Sequence, residues 1–274
     1  MTVRRDQAAL TAAQGKAFTD AVLALKKNGG YDPFVTTHLN FMASDSDSGQ
    51  RTAHRAPSFL PWHRQFLLDF ELALQKINPA VSLPYWDWTT ARKTTTAPWT
   101  ATFLGGNGRS SDGKVTTGPF AYANGKWPLN VRTDSRPFLR RELGAATTLP
   151  TTAQRNKVIA AMPYDSAPYN SASPTGFRNQ LEGWRGPDLH NRVHDWVGGT
   201  MSTGDSPNDP VFWLHHCYID KLWADWQTAH PGAGYLPVAA TPKVIALYDP
   251  MPPWNSATRR PVDLLDHRPF YTYT

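Results

Sequence analysis

The sequence predicts a mainly α-helical fold, a helical bundle core with long loops and few short strands. Three observations carry that expectation. Apolar residues recur at helical spacing in several segments, and most of those segments open on a capping residue or an Asx-Pro step. The stretches between them are rich in Thr, Gly, Ser and Asn, as loops are. With 274 residues, 40% of them hydrophobic and 11 of them Trp, the chain can bury one large core, and a single domain over residues 1–274 is expected.

Taken in order, Thr11 to Lys27 reads as an amphipathic helix. Thr11 and Gln14 form a capping box, Phe18, Val22 and Leu25 share a face, and Gly29-Gly30 end it. Asp32 is expected to cap the next helix with Pro33 at its first position, turning His38 inward beside Phe34 and Phe41 or Met42. Residues 44–50 are a polar loop, and RTAHRAPSFLPWH, with His54, is irregular backbone. A helix then follows Pro61 to about Gln75, with His63 in its first turn. LPYWDW, residues 83–88, is a buried strand or extended loop.

From Thr89 to Asn130 the composition is that of a long loop, pinned to the core by Trp99, Phe103, Phe120 and Trp127. A second capping box, Thr151 and Gln154, starts a helix to about Met162, and Ser173-Pro174 starts another that runs to Trp184. Pro187-Asp188 opens the helix of HNRVHDW, which Gly198-Gly199 close. Asn208-Asp209-Pro210 launches the helix of VFWLHHCYIDKLWADW, and the tail from Gly232 is coil and short strands. In such a bundle, ligand sites lie between facing helices.

The formal charge of +6 is scattered in short clusters such as Arg4-Arg5 and Arg140-Arg141, without a basic stripe interleaved with aromatics, so no nucleic-acid partner is expected. One cysteine, Cys217, excludes an intramolecular disulfide and a thiolate cluster. The N-terminal residues lack an apolar signal-peptide core and no apolar run approaches the length of a membrane span, so a soluble chain with no membrane association and no signal peptide of its own is expected.

The histidines carry the chemistry. His190 and His194 are four apart on a predicted helix and project from one face, able to chelate one ion, with His216 on the next helix as a third ligand. His38, His54 and His63 repeat the count of three. Neither set includes a carboxylate or thiol at a comparable spacing. Imidazole suits copper, zinc, iron and nickel, copper heads the divalent affinity order, and structural zinc sites usually close with cysteines. Six histidines without a bridging carboxylate favour a redox metal pair over a two-metal hydrolase.

The combined pattern, His38, then RTAHRAPSFLPWHR at 51–64, HNRVH at 190–194 and NDPVFWLHH at 208–216, resembles the type 3 dicopper proteins, specifically the bacterial tyrosinases. GFRNQLEGW, LPYWDW and LLDH extend the resemblance over nearly the whole chain. It implies a helical bundle around a dicopper site, with His38, His54 and His63 on the first copper and His190, His194 and His216 on the second. His215 is then a packed neighbour, since one step along a helix turns a side chain by about 100°. His230 and His267 read as ordinary surface residues, and Cys217 as a small buried one.

The activity implied is copper-dependent oxidation of small phenols with dioxygen as co-substrate: ortho-hydroxylation of tyrosine-like monophenols and oxidation of o-diphenols to o-quinones, feeding melanin-type pigment. A catechol oxidase or o-aminophenol oxidase without hydroxylase activity, or a dicopper oxygen carrier, would share the six histidines. Glu182 and Asn191 match a pair that orients a water as proton acceptor, and Asp195 a position bordering the substrate entrance. Thr52 stands where some relatives carry a cysteine bonded to the second ligand. A small copper-delivery partner of the caddie type is implied, with export on the partner's signal, or else a cytoplasmic location.

Overall fold

The computed structural model describes residues 2–274. Seven α-helices dominate among them: α1 (Ala12–Lys27), α2 (Asp32–Ser44), α3 (Phe59–Gln75), α4 (Thr152–Ile159), α5 (Phe177–Glu182), α6 (His190–Val197) and α7 (Val211–Ala229). The one named sheet pairs β1 (Thr2–Arg4) with β2 (Tyr271–Tyr273) in parallel, Arg4 opposite Tyr273. No helix is long and apolar enough to cross a membrane.

The core is built on α3 against α7, with α1 and α5 also on α3 and α4 and α6 on α7. Aromatics fill the seam. Phe70 of α3 stacks on Trp213 of α7 with ring centroids 3.5 Å apart, and Phe34 of α2 meets Trp213 edge-on at 5.8 Å. Such pairs add about 0.5–1.5 kcal/mol each beyond area burial, so α3 and α7 form the rigid floor on which metal-binding side chains can be held.

Both capping boxes form. Thr11 Oγ1 accepts from the Gln14 N–H at 3.2 Å while Gln14 Oε1 accepts from the Thr11 N–H at 2.9 Å, and Thr151 with Gln154 does the same. The long loop is pinned as expected: Trp99, Phe103, Phe120 and Trp127 are all buried. LPYWDW is extended loop, its Trp86 N–H donating to the Leu214 carbonyl of α7 at 3.1 Å.

Several boundaries differ from expectation. Asp32 is the first residue of α2 and caps nothing; its carboxylate instead pairs with buried Lys26 and accepts from Asn130 Nδ2 at 2.7 Å. α3 begins at Phe59, two residues before Pro61, because proline is tolerated throughout a first turn whose amides have no partner. His63 therefore lies in the second turn. Ser173-Pro174 starts no helix; α5 begins after Gly176 and stops at Glu182, before Trp184. α4 ends at Ile159, short of Met162. α6 begins at His190, later than Pro187-Asp188, but ends at Gly198 as expected, and a side chain at Gly199 (φ 56°) would meet the Arg140 carbonyl at 2.4 Å.

Candidate metal centre

α6 presents His190 and His194 on one face, and α7 lays His216 across from them. The Nε2 atoms of His190 and His194 each lie 3.2 Å from His216 Nε2. Two donors about 2 Å from one ion, at tetrahedral angles, are about 3.3 Å apart, so this spacing suits a shared ion. The first set comes from α2 (His38), the loop before α3 (His54) and α3 itself (His63), with ring nitrogens within 4.8 Å of one another. His38 Nε2 and His63 Nε2 are buried without a hydrogen-bond partner, as is His216 Nδ1. A buried orphan nitrogen costs about 1–3 kcal/mol, and all-imidazole sets with such nitrogens fit copper. The two sets adjoin, the His63 and His216 rings stacking with centroids 4.4 Å apart.

Main-chain carbonyls orient the rings. His38 Nδ1 lies 2.8 Å from the Gly204 carbonyl, His63 Nδ1 2.9 Å from that of Phe59 and His194 Nδ1 2.7 Å from that of Met201. Each bond places the proton on Nδ1 and leaves Nε2 free to ligate. His54 sits on irregular backbone, held by Asp45, whose carboxylate accepts from the N–H groups of Thr52, Ala53 and His54 at 2.9, 2.8 and 2.8 Å. Thr52, buried and holding no sulfur, accepts through its carbonyl from Ser58 Oγ. Arg141 is bonded through both ends of its guanidinium to Asp209, at 2.6 and 2.7 Å, fixing the start of α7 and hence the phase of His216.

Burial is the main cause that holds His38, His63, His190 and His216 well below the ordinary histidine value, and neighbouring histidines push the same way. His194 is lowered to about 4, again chiefly by burial. The rings are neutral, the state a metal ligand needs.

A pocket of about 340 Å³ leads from solvent to His38, His54, His190 and His194. Glu182, Asn191 and Asp195 all line it. Glu182 is buried, not an exposed helix carboxylate: Oε1 accepts from the Arg55 N–H at 2.6 Å and Oε2 from Arg178 Nη1 at 2.9 Å. Asn191 Oδ1 accepts from His190 Nδ1 at 2.9 Å. Asp195 is exposed at the mouth, near Met42, Arg55 and Trp184. His215 is fully buried beside the second set, while His230 and His267 lie outside both sets. Sequence reasoning missed Asp45, Arg55, Arg178 and Trp88; only Arg178, four residues before Glu182, offered a local signal, a helical i,i+4 ion pair.

The profile of the common central domain of tyrosinase matches residues 28–229. The chain belongs to the tyrosinase family. It is 60% identical over 274 residues to a tyrosinase of Streptomyces glaucescens, covering 100% of this chain and 99% of that one. A grixazone synthase of Streptomyces griseus is 43% identical over 304 residues, with 99% and 98% covered. Among solved structures, a functional unit of octopus hemocyanin superposes with a TM-score of 0.68 at 22% identity, over 100% of this chain and 68% of that one, a likeness of fold. Family membership makes the chain a copper-dependent phenol oxidase, and the two histidine sets are consistent with a binuclear copper site.

Proposed function

We propose that the chain hydroxylates tyrosine-like monophenols ortho to the hydroxyl and oxidises o-diphenols to o-quinones, using dioxygen as co-substrate. The observation that carries this reading is the solvent-open pocket with Glu182 and Asn191 in the wall beside His190. Copper held by His38, His54, His63 and by His190, His194, His216 supplies the redox chemistry. The chain's own task is placement and proton handling. A phenol has a pKa of about 10, so a monophenol must surrender its proton on binding. Glu182 spends one lone pair of each oxygen on Arg55 and Arg178, leaving others for a water that takes that proton. The Asn191 carbonyl steadies His190, and its amide N–H groups remain to orient the same water.

Glu182→Gln should lower tyrosine hydroxylation about 100-fold more than catechol oxidation, the lower end of the usual range for general acid–base groups, about 10²–10⁴. Oxygen uptake by copper-loaded protein with tyrosine, catechol and o-aminophenol is the measurement, with thermal unfolding as a check on the Arg178 contact. Equal loss on tyrosine and catechol would sink the assignment. Asp195 at the mouth attracts a substrate amine or repels a carboxylate; Asp195→Asn should therefore shift the tyramine to tyrosine preference. The reading also includes a small caddie-type partner that delivers copper, with export on the partner's signal or, without one, a cytoplasmic location. Copurification from cells expressing both chains tests it.

A further inference from the structure

The hydrogen bonds at Nδ1 divide five of the clustered histidines into two kinds. At His38, His63 and His194 the partner is a main-chain carbonyl, and at His190 it is the Asn191 side-chain oxygen. An oxygen of that kind only accepts, so Nδ1 carries the proton and Nε2 the lone pair. His215 is the reverse. Its Nδ1 lies 3.2 Å from Trp88 Nε1, an indole N–H that only donates. The lone pair is therefore at Nδ1. A nitrogen that accepts a hydrogen bond bears no proton, so the proton of the imidazole sits on Nε2.

By position alone His215 qualifies as a ligand. It is fully buried, and one of its nitrogens falls in the same group, all within 4.8 Å, as those of His190, His194 and His216. Its ring stacks on His190 with centroids 5.2 Å apart and planes 16° from parallel. Its Nε2 has no hydrogen-bond partner of normal geometry. What separates it from the other three is the donor at its back.

We propose that Trp88 holds His215 in the Nε2–H tautomer and so keeps it from becoming a fourth ligand of the second copper. Trp88 and His215 are positioning residues: they limit that ion to three protein nitrogens and preserve an open position, the feature that distinguishes catalytic from closed structural sites. Trp88 is itself immobile. It is buried edge-on against Tyr218, centroids 5.0 Å apart, and the segment carrying it is tied to α7 through the Trp86 N–H and the Leu214 carbonyl, one residue from His215.

The inference rests on His190, His194 and His216 being ligands, and its test separates the two. In metal-free protein, long-range ¹⁵N–¹H correlation NMR of the imidazoles should show His215 protonated at Nε2 only, whatever the copper site does; a proton at Nδ1 overturns the proposal. Trp88→Phe removes the donor and keeps an aromatic ring. It should raise Cu(II) affinity of the second set about tenfold, the scale on which outer partners act on metal ligands. Adding His215→Leu should abolish the gain. Unchanged affinity in Trp88→Phe, or a gain that survives His215→Leu, also overturns it. If His216→Leu loses no copper, the ligand assignment fails instead, with the NMR result left standing.

Discussion

Two polar clusters are buried between α3 and α7, about one turn apart along α7. In the first, Asp220 receives Arg64 Nε at 2.5 Å, Arg4 Nη1 at 3.4 Å and the hydroxyls of Tyr271 and Tyr273, while Glu71 receives Arg4 at 2.8 Å and the Leu83 N–H at 2.7 Å. In the second, seven histidines meet, and a carboxylate reaches their nitrogens only at the edge, where Asp45 Oδ2 lies 3.7 Å from His54 Nδ1. The ionic cluster brings its own counter-charges and stitches both chain ends to the core. The histidine cluster brings mostly lone pairs, with Asp45 the one carboxylate paired with any of its rings. Burial alone therefore does not say what a polar cluster is for; whether its atoms satisfy one another does.

The difference can be broken most sharply at His216. Replacing it with Leu should abolish phenol oxidation and remove one of two bound copper ions, yet shift the urea-unfolding free energy of metal-free protein by less than about 1 kcal/mol, since an apolar group of similar size replaces an unsatisfied one. A large loss of metal-free stability would show that the histidine cluster supports the fold after all.

Asp220→Asn should do the opposite, costing about 3–5 kcal/mol by leaving Arg64 and Arg4 buried with one partner fewer. Burial alone would raise the Asp220 carboxyl, but Arg64 and Arg4 outweigh it and hold it below the usual carboxylate value. A depressed folded value means that its contribution is fully present above the unfolded pKa, about 3.9, and is lost as pH falls through the folded one. Unfolding curves at pH 2–5 should thus show a smaller acid loss in the variant; equal slopes would remove Asp220 as the source.

A finer probe is Asp45, which lies outside the nitrogen sets but shapes the first. Asp45→Asn forfeits part of a carboxylate that accepts three N–H groups, and should cost about 1–3 kcal/mol and weaken copper at the first set about 10–100-fold. Competition with a chelator, read separately at the two sets, tests this; equal weakening at both would mean that Asp45 acts on the whole fold.

The parts of this design that were legible in the sequence are the local ones. The capping boxes at Thr11 and Thr151 are three-residue patterns that nothing distant overrides, and the His190–His194 pair is written in the helical repeat. Asp32 departs from its expected capping role because Lys26 and Asn130, the latter far along the chain, compete for its oxygens. The short α5 was overextended because Gly183, at φ 112°, ends it before Trp184. Asp45, Arg178 and Trp88 support the site through contacts made in three dimensions, and Arg4 meets Tyr273 across almost the entire chain. The candidate ligands announce themselves by residue type; the groups that aim them do so only by position.

The turn at residues 199–204 has a consequence of its own. Its Gly204 carbonyl aims His38 of the first set, and its Met201 carbonyl aims His194 of the second. One short piece of backbone is thus shared between the two sites. An ion that fixes a ring of one set acts on the same backbone that aims a ring of the other. Metal uptake should then follow cooperative statistics: at half-saturating copper, native mass spectra should contain chains with no ion and chains with two, and few with one.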